Sequence, residues 1–221
     1  MFITFEGLDG SGKTTTIGKL AQELHKKFPE LNLVLTREPG GDKVPEAERI
    51  REIILDKASD LSDMAEALLY TTSRRIHLEK VVWPSLKEKK FVICDRYIDS
   101  FYAYQGYARG LDLDFIKQIT TLVIEDAIPD LTFFMEFTPQ EAHKRREETR
   151  LVKDRMENEK MAFHEKVYAG YKELIKKDPG RFILIDASKT IQEVLEEVFD
   201  KLTNHPKFKE YCNKYVKSKS N

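Results

Sequence analysis

Apolar positions along the chain follow two rhythms. Short unbroken runs stand at Phe2-Ile3-Thr4-Phe5, Leu33-Val34-Leu35, Phe91-Val92-Ile93-Cys94, Leu131 to Phe137 and Phe182 to Ile185, and each reads as a buried strand. Between them the apolar residues recur at helical spacing. Ile17, Leu20, Ala21 and Leu24 mark one face of a helix running from Lys13 to about Phe28. Residues 45–57 and 62–89 predict two further helices divided near Ser59-Asp60, with Pro84 bending the second or marking its last stretch. Pro39-Gly40-Gly41 breaks the chain after the second strand. Apolar strands alternating with helices imply an α/β fold, a five-stranded parallel sheet flanked by helices on both faces. In such a sheet ligands sit beyond the carboxyl ends of the strands, so chemistry-bearing residues should follow the strands directly.

The length of 221 residues suits one large domain, and neither an internal repeat nor an interdomain linker is visible. Charged residues reach 34%, yet the net charge is only −1, so no global field recruits nucleic acid or an anionic membrane. Basic residues cluster locally, which suits a small polyanionic ligand. One cluster, within residues 141–160, holds Lys144, Arg145, Arg146, Arg150, Lys153 and Arg155 and lacks a sustained apolar face. The other is the tail from Lys207 to Asn221, with Lys207, Lys209, Lys214, Lys217 and Lys219, which reads as a solvated or frayed end. Cys94 and Cys212 have neither metal-ligand nor disulfide spacing, and Cys94 reads as a small core residue. No apolar stretch approaches the roughly 20 residues of a membrane span. The chain opens on a strand-like run, not a signal peptide. A cytoplasmic protein without nucleic-acid or membrane partners is expected.

The first strand leads into Gly7-Leu8-Asp9-Gly10-Ser11-Gly12-Lys13-Thr14, a G-x-x-x-x-G-K-[ST] phosphate loop that opens the first helix. Glycines let the backbone N–H groups turn inward onto phosphate oxygens, and the helix adds the positive end of its dipole. Lys13 would reach the β- and γ-phosphates and Thr14 would offer its hydroxyl to Mg²⁺. The loop identifies a nucleoside triphosphate site but not the acceptor. Asp95-Arg96-Tyr97 follows the third strand, where an acidic residue can organise Mg²⁺ and an arginine can fork onto phosphate. Arg37-Glu38-Pro39-Gly40-Gly41 follows the second strand in the same way. Tyr70 and Arg74, four residues apart, share a helix face.

Together these pieces resemble the thymidylate kinase family. The phosphate loop, Thr36 to Gly41, Tyr70 to Arg74, Asp95-Arg96-Tyr97, Ala103-Tyr104-Gln105-Gly106, Pro129-Asp130-Leu131-Thr132 and Asp154-Arg155 come in the family's order and approximate spacing, over about residues 1–200. The resemblance implies a P-loop NTPase three-layer fold that transfers the γ-phosphate of ATP to dTMP with Mg²⁺. It implies a kinase domain over 1–205, with a lid at about 143–157 and a basic tail over 206–221, and a homodimer joined through helices between residues 45 and 89. It makes Lys13, Asp95, Arg96 and Arg155 catalytic, and gives Thr14 and Asp95 to the metal. ATP would lie on Gly7, Leu8, Asp9, Gly10, Ser11, Gly12, Lys13 and Thr14, with Arg145 stacked on adenine. Arg74 and Arg96, with Arg37 nearby, would hold the acceptor phosphate. Tyr70 would stack on thymine, Gln105 would bond its edge, Tyr104 would crowd the 2′ position, and Asp9 would approach the 3′-hydroxyl. Glu157 matches an acidic position near the site.

Two positions depart from the family's pattern. Phe101 stands where many relatives carry Ser, Thr or Asn, so that either it packs behind the site or it reshapes the base pocket. Gly10 stands where some relatives carry an arginine, which leaves Arg145 to Arg155 as the source of transition-state charge. Other readings are another pyrimidine nucleotide kinase, a deoxynucleoside kinase or a nucleotide-dependent switch. A nucleoside acceptor would not need Arg74 and Arg96 for a phosphate. A GTP switch usually reads guanine with N-K-x-D, whereas Asn213-Lys214 runs on into Tyr215-Val216.

Overall fold

In the computed structural model, residues 1–41, 44–149 and 154–216 are described. The strands are β1 (Phe2–Glu6), β2 (Leu33–Arg37), β3 (Phe91–Asp95), β4 (Leu131–Glu136) and β5 (Phe182–Asp186). All pair in parallel, in the order β2-β3-β1-β4-β5, as the alternation of strands and helices requires. Each strand ends on a charged residue: Glu6, Arg37, Asp95, Glu136 or Asp186. The apolar runs stop where the strands emerge at the carboxyl edge, and that edge is therefore polar where a ligand would meet it.

Side chains on β1 and β3 alternate between two cores. Ile3, Phe5, Phe91 and Ile93 face the larger one. It is closed by α1 (Lys13–Lys27), α8 (Met161–Lys177), α9 (Ile191–Asn204) and α10 (Pro206–Tyr215). Phe2, Val92 and Cys94 face the other, against Leu78, Val82 and Ile124. Cys94 is buried, as its apolar neighbours imply, and burial pushes its thiol pKa well up.

Between β2 and β3 lie α2 (Pro45–Leu55), α3 (Asp63–His77), a π-helical segment (Leu78–Val82) and α4 (Trp83–Lys87). Pro84 stands in the first turn of α4, just after the π-helical widening, where its missing N–H and bulky ring are tolerated. After β3, α5 (Ile98–Phe101) runs into a second π-helical segment (Tyr102–Ala108), then α6 (Leu113–Ile124). The widened turn buries Tyr104 and its neighbour Gln105 together. β4 leads to α7 (Pro139–Thr149), inside the charged cluster, whose Arg150 and Lys153 lie outside the described residues.

The tail corrects the expectation of a solvated end. Over Pro206–Tyr215 it is a helix whose Phe208 and Tyr211 are buried in the main core. Phe208 packs edge-on to Phe28 and Phe91, at centroid separations of 5.6 and 5.4 Å. Tyr211 Oη donates to the Lys89 carbonyl (2.8 Å), and Lys207 Nζ to that of Asp130 (2.8 Å). Apolar positions 208, 211, 212 and 215 recur at helical spacing among the lysines. Lys217 and Lys219 lie outside the described residues. Phe208→Ala is expected to cost about 3–5 kcal/mol of stability, read as a lowered denaturation midpoint in urea, because the cavity would open beneath β3.

Candidate active site

A cleft of about 730 Å³ lies along the carboxyl edge of the sheet. The phosphate loop forms its floor between β1 and α1. Gly7 has φ 138° and Gly10 has φ 91°, a backbone region that side chains rarely adopt. A Cβ on Gly7 would stand 2.7 Å from the Met135 carbonyl, and one on Gly10 would meet the Ala142 carbonyl at 3.0 Å. The loop is thus wedged between β4 and α7.

Lys13 turns its amine into the loop, donating to the Gly7 (3.1 Å) and Leu8 (2.9 Å) carbonyls. Burial, then the nearby Arg96 guanidinium, push its pKa down to about 8. An ammonium with that pKa is charged at neutral pH and loses its proton soon above it, so ATP affinity should fall on the alkaline side. The dissociation constant for ATP is expected to rise about tenfold between about pH 7 and 9, with proton uptake on binding near pH 8. Titration calorimetry in buffers of different ionisation heat reads both, and a flat profile would show Lys13 charged throughout.

Beside Lys13, Thr14 Oγ1 donates to Asp95 Oδ2 at 2.5 Å. A hydroxyl and a carboxylate at the phosphate floor match the hard oxygen donors Mg²⁺ takes, the rest of its shell being phosphate and water. Among the described residues no group of three or more His, Cys, Asp or Glu could hold a metal. A cation here therefore depends on phosphate oxygens as well as on this pair.

The wall toward α7 carries two arginines. Arg145 lies over the Phe137 ring (4.0 Å), lines the cleft, and donates to the Gly10 and Ala187 carbonyls, both at 3.3 Å. A flat cation backed by an aromatic ring, beside Lys189, Thr190 and Ile191, suits a purine face. Arg146, which the sequence had shown only as one charge among many, is fully buried and donates to the Asp9 carbonyl (2.9 Å).

On the opposite wall stand Arg37, Tyr70, Arg74, Arg96, Tyr104 and Gln105. Arg96 adopts φ 67° and pairs through Nη2 with Asp9 (2.8 Å). Its Nη1 donates to Ser100 (3.0 Å) and Tyr171 (3.3 Å), whose hydroxyls both donate to buried Glu6. Burial, with Asp99 nearby, raises the Glu6 pKa. For Arg96 burial opposes the charge, but Asp9 and its other neighbours hold its pKa well above the ordinary value. Tyr104 Oη reaches the other Asp9 oxygen at 3.4 Å. Arg37 is braced by Glu48 (2.9 Å).

Arg74 is clamped by Glu38 (2.7 Å), itself held by His77. Its guanidinium lies over the Phe101 ring at 5.0 Å. Phe101 is 2% exposed, packs with Ala67 and Ile116 and lines the cleft beside Tyr70, so it is a platform for Arg74 within the wall itself. Two buried polar atoms of this wall have no protein partner, Arg74 Nη1 and Gln105 Oε1. The Gln105 amide nitrogen is occupied, donating to Glu66 at 2.7 Å.

Arg155 is not brought to the phosphate floor. Its side chain pairs with Glu66 and donates to the Ile54 carbonyl (2.8 Å), and it does not line the cleft, whereas Asp154 and Met156 do. Glu157 is buried and ties the turn back to Asp154, accepting from its N–H at 3.2 Å. Glu38, Glu66, Arg109 and Arg146 were not given roles by the sequence. For Glu66 a signal existed, since positions 66, 70 and 74 fall on one face of α3.

The thymidylate kinase family model matches residues 5–198. A thymidylate kinase of Mycoplasmopsis agalactiae is 56% identical over 211 residues, 96% of this chain and 98% of its own. One from Staphylococcus haemolyticus is 41% identical, covering 92% and 97%. The crystal structure of thymidylate kinase from Ehrlichia chaffeensis aligns at a TM-score of 0.73 and 40% identity, covering 92% of this chain and 98% of that one. The matched stretch takes in both the phosphate loop and the arginine-lined wall, and relatives and fold agree over nearly the whole length, so the chain belongs to the thymidylate kinase family.

Proposed function

We propose that this chain phosphorylates dTMP to dTDP with ATP, in line, along the cleft between the phosphate loop and the Arg74–Arg96 wall. An oxygen of the acceptor phosphate attacks the γ-phosphorus as the bond to the β-phosphate oxygen breaks, and the electron pair leaves with ADP. That oxygen is already anionic at neutral pH, so positioning and charge neutralisation carry the rate. Lys13 and the loop N–H groups hold the ATP phosphates, and Arg145 backs the adenine. Thr14 and Asp95 would hold Mg²⁺, which supplies charge neutralisation between the β- and γ-phosphates when bound.

Arg74 and Arg96 hold oxygens of the acceptor nucleotide, with Arg37 beside them. Tyr70 covers the base face, Tyr104 closes the 2′ side, Asp9 meets the 3′-hydroxyl, and Gln105 reads the base edge. The observation that carries this reading is the pair of partnerless buried atoms, Arg74 Nη1 and Gln105 Oε1, a donor for a nucleotide oxygen and an acceptor for a base N–H. A coupled ADP-release assay with dTMP, dUMP, dCMP, dGMP and UMP is the test. The highest kcat/KM is expected for dTMP, and preference for another acceptor would overturn the substrate.

Arg155 belongs to the proposal as a cation that must leave Glu66 to reach the transferring phosphoryl group. Arg155→Ala is expected to lower kcat by about 10²-fold or more, within the range of arginine fingers. Turnover near wild type would confine Arg155 to its pairing with Glu66. The same reading includes a cytoplasmic homodimer. Met64 and Leu68 of α3 and Leu122 of α6 are exposed large apolar residues on packed neighbouring helices. Sedimentation at twice the chain mass would support the dimer, and a monomer at assay concentrations would remove it.

A further inference from the structure

Glutamine is an ambiguous reader of a base edge. Its amide can turn over, offering either a donor or an acceptor at the same place. In this chain the choice is made behind the site. Gln105 is completely buried and its Nε2 donates to Glu66 Oε1 at 2.7 Å. A carboxylate only accepts, so the amide nitrogen must face Glu66 and the carbonyl Oε1 must face away from it, where it has no hydrogen-bond partner in the protein. Glu66 is itself 1% exposed, and a carboxylate that deep needs compensation. Arg109 supplies it, with Nε and Nη2 each 3.4 Å from the carboxylate, and Arg155 pairs with Oε2. Arg109 is anchored in turn over the Phe163 ring (4.6 Å) and on Glu159 (2.6 Å).

We propose that Glu66 is a specificity-determining positioning residue, locking Gln105 so that it presents a carbonyl oxygen, and only that, to the acceptor base. This rests on the reading that Gln105 meets the base edge. Thymine carries a single ring N–H beyond the glycosidic nitrogen, at N3, so a fixed acceptor can engage thymine only there. Cytosine has a lone pair at N3, and oxygen would face nitrogen with no proton between them. Uracil shares the N3–H with thymine. The lock therefore sorts thymine and uracil from cytosine, and leaves the choice between thymine and uracil to whatever meets the 5-methyl group. Leaving a buried polar group unpaired is what gives large discrimination of this kind.

Glu66→Gln is the test. Its carboxamide keeps the shape but can donate as well as accept, which frees the Gln105 amide to turn over. The ratio of kcat/KM for dTMP over dCMP is expected to fall at least tenfold, while the ratio for dTMP over dUMP stays within about twofold. An equal loss for all three acceptors would mark a merely structural role, or a role acting through Arg155 alone, and would overturn the proposal. Glu66→Asp, which keeps an acceptor, should retain the dTMP preference; losing it as E66Q does would also overturn the lock. Gln105→Leu separates the two levels. Discrimination lost in Q105L but kept in E66Q defeats the lock and leaves the base-edge reading standing, whereas discrimination kept in Q105L defeats that reading. Should E66Q not fold, the wild-type enzyme with 3-methyl-dTMP carries the test. A hundredfold loss relative to dTMP is expected, and turnover within threefold of dTMP would overturn the assignment of an acceptor at N3.

Discussion

Replacing Lys13 by methionine is expected to lower kcat with ATP and dTMP by about 10³-fold, the scale of removing a charge aimed at the transferring group, without lowering the melting temperature. The two halves of this result have one cause. Lys13 is 6% exposed, and burial, followed by repulsion from Arg96, brings its pKa down to about 8. Relative to an ordinary lysine, that displacement corresponds to about 3 kcal/mol held against the charged form. The sign follows from the direction. Below pH 8 the folded protein carries the charge and the full destabilisation; as pH rises from there toward the unfolded value the cost fades. Methionine keeps most of the stem and never bears the charge. It forfeits the bonds to the Gly7 and Leu8 carbonyls, about 1–2 kcal/mol, which offsets much of the gain. At pH 7 the variant should therefore melt at or slightly above the wild type, and any advantage should shrink by about pH 9. A fall of several degrees at pH 7 would show the ammonium to be a net stabiliser, and the pH effect on ATP affinity would then lose its basis.

The sheet was legible because its strands are buried on both faces and read as unbroken apolar runs, and because a phosphate loop needs a strand before it and a helix after it. Even the strand ends differ from the apolar runs in a consistent way. Four apolar runs stop before Glu6, Arg37, Asp95 and Asp186, yet each of these residues is the last of its strand. A pattern of hydrophobicity ends where the site begins. The tail departs from expectation for a related reason. The lysines between 207 and 219 mask the helical spacing of Phe208, Tyr211 and Cys212, and a helix with one buried stripe can be as basic as it likes on its outer face.

Single residues of the candidate site were legible where a side chain lines the cleft, and not where it acts through another. Arg74, Arg96 and Gln105 could be picked out, but the groups that fix them could not. Glu38 clamps Arg74, Glu6 holds Ser100 and Tyr171 beneath Arg96, and Glu66 turns Gln105. Each of these contacts joins segments far apart in the chain. Phe101 shows the limit from the other side. Its identity left two readings open, and the structure gives it a part in both, since it packs against Ala67 and Ile116 beneath Arg74 and also lines the cleft beside Tyr70. Arg155 could be named from its surroundings in sequence, but its partner, Glu66, comes from α3.

Arg96→Met is expected to produce the opposite pairing of effects from Lys13→Met, a loss of activity of about 10³-fold together with a loss of stability. Lys13 is a buried cation and Arg96 a largely buried one of the same site, but Arg96 is compensated on every side. Asp9 takes Nη2 at 2.8 Å, Ser100 and Tyr171 take Nη1, and Glu6 stands behind those hydroxyls. Removing the guanidinium takes from Asp9 its Arg96 partner and leaves Glu6 without the positive charge that opposes its raised pKa. Breaking one partner out of such a partly buried arrangement costs about 1–3 kcal/mol. The backbone supplies a control. At φ 67° an alanine is strained and a glycine is not, so Arg96→Gly should be about 1 kcal/mol more stable than Arg96→Ala. The two variants should nevertheless be equally inactive, because neither carries the guanidinium. Denaturant midpoints and single-turnover rates for the three variants separate the terms. If Arg96→Gly regained activity along with stability, the arginine would be needed for its backbone turn and not for phosphate. If all three lost activity at unchanged stability, the buried ion network would contribute nothing to the fold, and its purpose would be to aim Arg96 at the acceptor.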